Sequence, residues 1–262
     1  MICSMKNNCI TLFFIFYFLG LYAQEKTIQI AVDPFGNRYE IFLEKILKYS
    51  KTDALLFSNG FPQYGNIHHL DITNPLQPSL FFFDTQKILI IDNTLSSQSS
   101  PIDLSQPLSN GVIPYYTAGC VSANSGFWAF DNVQKKIIRF DLYGQTLFEL
   151  ANLSAYHPIA SWNILWMQES NNQLFLRDEN YLHCFDFTGF YQQSIPQPFY
   201  PSFAHAGTIF EINQDGLHTI FPNFFKIPIH VQSDSPFTIS NNKYYDSHQY
   251  RNGIDLEEFV NK

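Results

Sequence analysis

GFWAFDNVQKKIIRFDLYGQTLFEL, residues 126–150, is the stretch that decides the fold. It contains three short runs rich in apolar residues, at 127–130, 136–140 and 146–150, separated by polar turns. Asp and Gly suit such turns, because Asp hydrogen-bonds its own backbone and Gly accepts a positive φ between antiparallel strands. The stretch therefore predicts a meander of three antiparallel strands.

Variants of this unit recur before and after it. An aromatic residue opens the inner strand of each copy, at Tyr39, Phe82, Trp128, Phe175 and Phe210, with about 35 to 47 residues between successive copies. The apolar residue that closes the following strand keeps nearly the same spacing, at Tyr49, Ile91, Phe140, Phe185 and Phe221. A further candidate strand precedes each copy, at 28–32, 67–72, 112–118, 161–167 and 202–206.

Four short strands in each unit of roughly 40 to 50 residues are typical of β-propeller blades. We therefore predict an all-β chain folded as a β-propeller of about five blades. Residues 237–250 would complete a blade shared with the N-terminus or form a sixth, degenerate blade. A β-sandwich is the alternative, because it too consists of short strands with regular turns, but a sandwich does not require one unit to recur.

Two segments also fit a helix. Residues 39–49 (YEIFLEKILKY) have an amphipathic pattern, and residues 255–260 (DLEEFV) could form a last turn. We predict strands for the first segment, because its neighbours match the repeat.

The N-terminus has the pattern of an export signal. Lys6 precedes the apolar run 10–22, and Ala23 is followed by polar residues. We expect cleavage after Ala23, which divides the chain into a signal peptide, 1–23, and a single propeller domain with a C-terminal closing segment, 24–262. A membrane anchor is the alternative, but the run is shorter than the roughly 20 residues that a spanning helix needs.

Charge and cysteine content narrow the classes of function. The chain of 262 residues carries a net charge of −8, and the lack of a basic patch argues against nucleic-acid binding. After cleavage only Cys120 and Cys184 remain, too few for a disulfide-stapled scaffold. We expect two separate buried thiols, with a disulfide between them as the alternative.

No motif in the sequence names a reaction. His68, His69 and Asp71 form a local cluster of metal-ligand types, but His68 would point to the opposite face of a strand from the other two. We therefore predict no metal site and no cofactor. His183 adjoins Cys184, and neighbours along a strand likewise point apart, which argues against a Cys–His dyad.

Acids recur at one place in the blades. Asp131 and Asp178 lie three residues after their aromatic anchors, and Asp84 lies two after Phe82. Such a set could form a ring of acids in a central channel, where paired carboxylates cleave glycosidic bonds. Nearby Asn and Gly residues favour the other interpretation, an Asp that opens a turn in each repeat. We assign no catalytic, cofactor-binding or metal-binding residue.

Two stretches resemble known propellers. DPFGNRYEI (33–41), followed by ILKYS, is similar to the blade pattern of NHL-like propellers. DITNPLQPSLFFFDTQKILIIDNTLS (71–96) resembles a group of signal-bearing, propeller-like proteins from gliding and type IX-secreting bacteria, one of which accompanies the outer-membrane translocon from the periplasmic side. The chain departs from the pattern in its second unit, which lacks the turn glycine seen at Gly144 and Gly189, and in its short fifth unit.

Together with the export signal, the repeat and the lack of a catalytic motif, the resemblance predicts a non-enzymatic protein in the periplasm, or peripheral on the outer membrane, that binds a protein partner as an accessory of a secretion (type IX) or other envelope machine. The motifs are structural, so no functional residue carries over. A glycan-binding or carbohydrate-active propeller is the alternative. Two or more acids converging in the channel beside exposed Trp or Tyr would favour it, whereas a channel plugged by aliphatic and Phe side chains would argue against it.

Overall fold

Antiparallel sheets make up the computed structural model, which describes residues 27–108, 111–196, 202–205, 208–213, 216–222, 225–227, 236–240, 243–246 and 253–256. These residues form six sheets, which we number as blades 1 to 6 in chain order. Blades 1 to 5 have four strands each, and blade 6 has three. The predicted all-β propeller of about five blades is confirmed, with the three-stranded sheet as a sixth member.

Each blade is a meander of consecutive strands. Blade 1 contains β1 (Gln29–Val32), β2 (Arg38–Ile41), β3 (Lys45–Tyr49) and β4 (Leu55–Gly60). Blade 2 contains β5 (His69–Asp71), β6 (Ser79–Phe82), β7 (Lys87–Ile90) and β8 (Ile102–Asp103). Blade 3 contains β9 (Tyr116–Val121), β10 (Phe127–Asp131), β11 (Lys136–Phe140) and β12 (Thr146–Leu150).

The second half of the ring follows the same order. Blade 4 contains β13 (Trp166–Ser170), β14 (Gln173–Arg177), β15 (Tyr181–Asp186) and β16 (Tyr191–Pro196), and blade 5 contains β17 (Ser202–His205), β18 (Thr208–Asn213), β19 (Gly216–Phe221) and β20 (Phe225–Ile227). Blade 6 contains β21 (Phe237–Ser240), β22 (Lys243–Asp246) and β23 (Ile254–Asp255). Two short 3₁₀ helices, Pro62–Tyr64 and Leu153–Ala155, lie in the connectors that follow blades 1 and 3.

The first strands of the blades meet around an axis. β9 contacts β13, β13 contacts β17, β17 contacts β21, and β1 contacts both β21 and β5. The remaining junction is bridged where the Val121 N–H at the end of β9 donates to Asp71 Oδ2 of β5 at 2.9 Å. The contact between β21 and β1 therefore closes the ring.

Three details of the prediction were wrong. The aromatic anchors lie on the second strand of each blade, not on the innermost one, which is the candidate strand upstream. The inner strands β9 and β13 begin later than the predicted 112–118 and 161–167. No blade is shared with the N-terminus among the described residues, because β1 pairs with β2 in blade 1 and only packs against blade 6.

Large rings fill the space between adjacent blades. On β10, Trp128 and Phe130 pack with Met167 and Leu174 of blade 4. The alternate residues Phe127 and Ala129 pack on the other side, against apolar residues of blade 2. Both faces of β10 are thus buried, which is why its sequence shows no polar alternation. Burial of one such ring stabilises the fold by roughly 1.5–3 kcal/mol.

The remaining predictions concern particular segments. Residues 39–49 form strands, as predicted, and Asp255 lies in β23, whereas residues 257–260 and the predicted signal peptide 1–23 lie outside the described residues. Cys120 and Cys184 are free, buried and in different blades, so the expectation of separate thiols is confirmed. Burial raises the pKa of Cys184 to about 12 and also raises that of Cys120. Within the described residues, no helix has the length and apolar character to cross a bilayer.

Candidate functional site

The axial channel is the first place to look for chemistry. It encloses about 370 Å³ and is lined by residues from the inner strands of all six blades. The polar groups in its wall include Gln29, His69, Asp71, Gln168 and Glu169. Its lining among the described residues contains no Trp or Tyr, and its apolar members include Leu70, Ile239 and Phe203.

The two carboxylates in the described part of the channel wall each hold a neighbouring blade. Asp71 of blade 2 accepts the Val121 N–H of blade 3 on Oδ2, at 2.9 Å. Glu169 of blade 4 accepts the indole N–H of Trp128, at 2.6 Å, and the N–H of Ala123, at 3.2 Å. The channel therefore brings two acids together, but each is engaged in a junction between blades.

Glutamine side chains make a second kind of junction. Gln29 of β1 accepts the Leu70 N–H and donates to the Leu70 carbonyl, both at 2.8 Å. Gln168 of β13 does the same with Ala204 of β17, at 2.8 Å and 2.9 Å. An inner strand has no sheet partner on its axial side, so each side-chain amide supplies the hydrogen bonds that a further strand would make.

The neighbouring His68 and His69, at the start of blade 2, point in different directions, as successive residues of a strand do. His69 lines the channel with Asp71, and burial lowers the His69 pKa against the opposing effect of Asp71. His68 is exposed, and its Nε2 lies 3.3 Å from Asp84 Oδ1. Within the described part of the chain, no group of three or more His, Cys, Asp or Glu could hold a metal ion.

Two of the recurring acids open turns. Asp131 Oδ1 accepts the N–H groups of Tyr115 and Val133, at 3.1 Å and 2.9 Å. Asp178 Oδ1 accepts the N–H groups of Asn180 and Tyr181, at 2.8 Å and 2.7 Å. These two acids lie in turns and do not line the channel, so the turn interpretation holds for them; Asp84 is exposed beside His68.

Blade 4 holds a row of polar groups that sequence reasoning missed. Asp178 Oδ2 lies 3.4 Å from His183 Nε2, and His183 Nδ1 lies 2.6 Å from Ser194 Oγ. Ser194, His183 and Asp178 thus lie in the order of the nucleophile, the base and the orienting acid of a catalytic triad. Asp178 and His183 are fully buried, however, and the Trp162 ring stacks on the imidazole at 4.1 Å.

The row is a product of strand register. His183 and Ser194 are direct partners across β15 and β16, and no spacing in the sequence announces that pairing. The row joins β15, β16 and the turn that contains Asp178, and the connector carrying Trp162 packs on it. Because the imidazole is covered, His183 offers no open face to a substrate.

An apolar patch lies at the end of the ring where the chain passes from one blade to the next. It comprises Tyr115, Val133 and Leu165, all of them exposed, and Ile113, 63% exposed, lies two residues before Tyr115. Tyr115 and Val133 are held together by their shared acceptor Asp131. The Thr117 hydroxyl donates to the Ile164 carbonyl, at 3.2 Å, which brings Leu165 beside the start of β9.

Comparison with known proteins identifies the architecture. No protein family and no characterised protein matches the sequence. Among solved structures, a streptogramin B lyase superposes with a TM-score of 0.60 at 13% identity, covering 86% of this chain and 78% of the lyase. Virginiamycin B lyase from Staphylococcus aureus gives 0.58 at 15% identity with the same coverage.

PorZ, described as an essential bacterial surface component of the type IX secretion system of Porphyromonas gingivalis, gives a TM-score of 0.52 at 10% identity. The match covers 86% of this chain but only 36% of PorZ. Identities this low concern the fold alone. The chain is built as a β-propeller, an architecture that it has in common with enzymes and with a secretion component.

Proposed function

We propose that this chain is a non-enzymatic periplasmic propeller that binds another protein as an accessory subunit of an outer-membrane secretion machine, of type IX or of another envelope system. The observation that carries the proposal is the apolar patch. Exposed apolar side chains that gather on one surface mark interaction sites, and an aromatic residue such as Tyr115 is of a type that often contributes much of the binding energy.

The engagement of the channel carboxylates supports binding over catalysis. A glycosidase needs one carboxyl group to donate a proton and another to act as a base or nucleophile. Asp71 and Glu169 accept hydrogen bonds that join blades, so moving either would disturb the ring. The connection to type IX secretion is supported by the predicted signal peptide, by the resemblance of residues 71–96, and by the fold shared with PorZ.

A pull-down tests the proposal. We expect the tagged protein to co-purify with outer-membrane proteins from a mild-detergent extract of its source bacterium. Val133→Asp, which places a charge in the patch, should abolish capture, whereas Phe35→Asp, at an exposed turn at the other end of the ring, should not. A monomeric protein without partners, together with normal secretion in a deletion strain, would refute the proposal.

A glycan-binding or carbohydrate-active propeller is the second candidate, because Asp71 and Glu169 do line one channel. Titration with oligosaccharides by calorimetry separates the two. A binding heat or a hydrolysis rate that disappears in Glu169→Gln, while the variant stays folded, would favour the glycan function.

A further inference from the structure

A second cavity lies between blades 2 and 3, away from the channel. It encloses about 490 Å³. Three aromatic rings, of Tyr116, Phe140 and Tyr143, line it together with the carboxylates of Asp103 and Glu149. The described lining residues include no Lys, Arg or His.

The three rings differ in exposure to solvent. Tyr116 and Phe140 are buried and meet edge to face, with their centroids 5.6 Å apart. Tyr143 is 84% exposed at the tip of the turn between β11 and β12. A ring with so much exposed surface would gain contacts when a ligand enters the cavity beneath it.

The hydroxyl of Tyr116 is the unusual group of this cavity. The residue is 1% exposed, and its Oη has no hydrogen-bond partner in the part of the chain that the structure describes. By contrast, the buried Tyr39 on the second strand of blade 1 donates its hydroxyl to Asp33 at 3.2 Å. A buried hydroxyl without a partner costs stability, so such a group calls for an explanation.

The Tyr116 hydroxyl is also held in its neutral form. Burial raises its pKa, and the negative charges of Asp131 and Glu149 raise it further. A neutral phenol both donates and accepts hydrogen bonds. The Oη is inaccessible to solvent in the free protein, so a cation reaches it only when the surrounding side chains shift, and the oxygen can then accept an N–H.

We propose that this cavity binds an organic cation, an ammonium or guanidinium group carried on an apolar body. Aromatic faces attract a cation through their quadrupole, and the attraction grows when the cation is desolvated. The carboxylates of Asp103 and Glu149 supply the complementary charge, and the side chains of Leu104 and Leu108 in the wall accommodate the apolar body. In the free protein Glu149 forms an ion pair with Lys136, whose Nζ lies 3.0 Å from the carboxylate. A bound cation would compete with Lys136 for that carboxylate.

The cation has two sources with the same chemistry. It is either a free small molecule or an Arg or Lys side chain of a protein partner. The second source rests on the proposed function, and the first goes beyond it. Experiments on the purified chain test the cavity without the partner.

Binding of probe cations is the test. We would titrate the mature chain with choline and with Nα-acetylarginine amide, each beside its neutral isostere, the carbon analogue of choline and Nα-acetylcitrulline amide. We expect at least one cation to bind about ten-fold more tightly than its isostere. Tyr143→Ala and Tyr116→Phe should each weaken that binding several-fold, whereas Phe190→Ala, which removes a 73% exposed ring from the neighbouring blade, should not.

A stability measurement shows whether the Tyr116 variant is folded. In the unliganded protein Tyr116→Phe should raise the urea midpoint, because it removes a hydroxyl without a partner, and Tyr39→Phe should lower it, because it breaks the bond to Asp33. Equal affinity for cations and isosteres, no binding of either cation, or unchanged affinity in Tyr116→Phe would overturn the proposal.

The two sources give different results. Binding of choline alone indicates a small molecule. Binding of the arginine amide, with loss of partner capture in Tyr143→Ala, indicates a side chain of the partner. If capture fails even with the wild-type chain while a cation still binds, the proposed function fails and the cavity remains a cation site.

Discussion

At the scale of single residues, side chains complete the hydrogen bonding of the inner strands. A strand at the edge of a sheet leaves N–H and C=O groups without partners. Gln168 satisfies both backbone groups of Ala204 in the next blade, and Gln29 does the same for Leu70. A glutamine suits this task because its amide carries a donor and an acceptor side by side.

Gln168→Leu should therefore destabilise the fold by about 1–3 kcal/mol, because it leaves the N–H and carbonyl of Ala204 unpaired. Gln168→Glu should cost less, since the carboxylate still accepts the N–H. Gln192→Leu is the matched control, because Gln192 is exposed and its side chain accepts a hydrogen bond from the Gln173 side chain rather than joining two blades. Urea unfolding of the three variants measures the difference. Equal losses of stability for Gln168→Leu and Gln192→Leu would show that the hydrogen bonds between Gln168 and Ala204 do not stabilise the ring.

Asp178 makes stability depend on pH. Burial raises its pKa, but hydrogen bonding to His183 and the N–H groups of Asn180 and Tyr181 outweighs it and lowers the pKa to about 2. An Asp in the unfolded chain has a pKa of about 4. The folded form thus binds its proton more weakly, and the stabilisation is full above about pH 4 and is lost as the pH falls to about 2.

We expect the free energy of unfolding to fall by about 2 kcal/mol across this window because of Asp178 alone. Asp178→Asn should be less stable at neutral pH and should lack this part of the acid dependence. Urea unfolding between about pH 5 and pH 2 provides the measurement. Parallel pH profiles for the two proteins would show that the row in blade 4 does not supply the effect.

At the scale of elements, the turn between the third and fourth strands has one geometry in blades 1 to 4. The turn begins with an acceptor side chain in each of these blades: Ser50, Asp92, Asp141 and Asp186. In every case its oxygen accepts the backbone N–H groups of the residues two and four positions later. The fourth residue has a positive φ, at Asp53, Leu95, Gly144 and Gly189. Leu95 has a positive φ, as the glycines do, so the missing glycine in blade 2 did not mean a different turn. Burial of the Leu95 side chain in the core offsets the strain of that φ.

Gly189→Ala tests how this turn packs on the neighbouring blade. A Cβ at Gly189 would lie 2.6 Å from Phe148 of blade 3, whereas one at Gly111, also with a positive φ, would meet nothing within 4 Å. Gly111→Ala should cost about 1–2 kcal/mol for its backbone alone. Gly189→Ala should cost roughly 1–3 kcal/mol more, because Phe148 must move. Thermal or urea unfolding measures both, and equal losses would show that Phe148 yields freely.

The hairpins could be predicted from the sequence, and the inner strands less well. Buried rings such as Trp128 and turn acids such as Asp141 are local signals, so they mark the second and third strands directly. The inner strand β13, WMQES, carries Gln168 and Glu169 because it faces the channel. Polar residues in a strand remove the alternation on which the prediction depends, and β13 was therefore placed too early.

The candidate sites depend on contacts that no local pattern carries. Gln168 and Ala204, or Trp128 and Glu169, meet only because the ring brings successive blades together. The cavity beside Tyr116 forms between two blades for the same reason. The sequence could suggest acids in a channel, but it could not show that those acids join blades.

At the scale of the whole molecule, the junctions between blades differ in chemistry. Blades 1 to 5 are joined by polar contacts as well as apolar packing, including the buried ion pair of Arg177 and Glu211, at 2.8 Å, between blades 4 and 5. Where blade 6 meets blade 1, Ile30 and Val32 pack against Tyr245. The ring is closed by packing of separate sheets, so its integrity requires the last sheet to be present.

A chain that ends at residue 235, before β21, should lose cooperative folding. Without blade 6 the inner strands β1 and β17 lose the neighbour that each contacts in the ring, and the apolar faces of two blades become exposed to water. We expect a shallow denaturation curve and association in size-exclusion chromatography, whereas a chain that lacks only residues 1–23 should unfold in one cooperative step. A truncated chain that stays monomeric and unfolds with the same midpoint would mean that blades 1 to 5 hold their arrangement without closure.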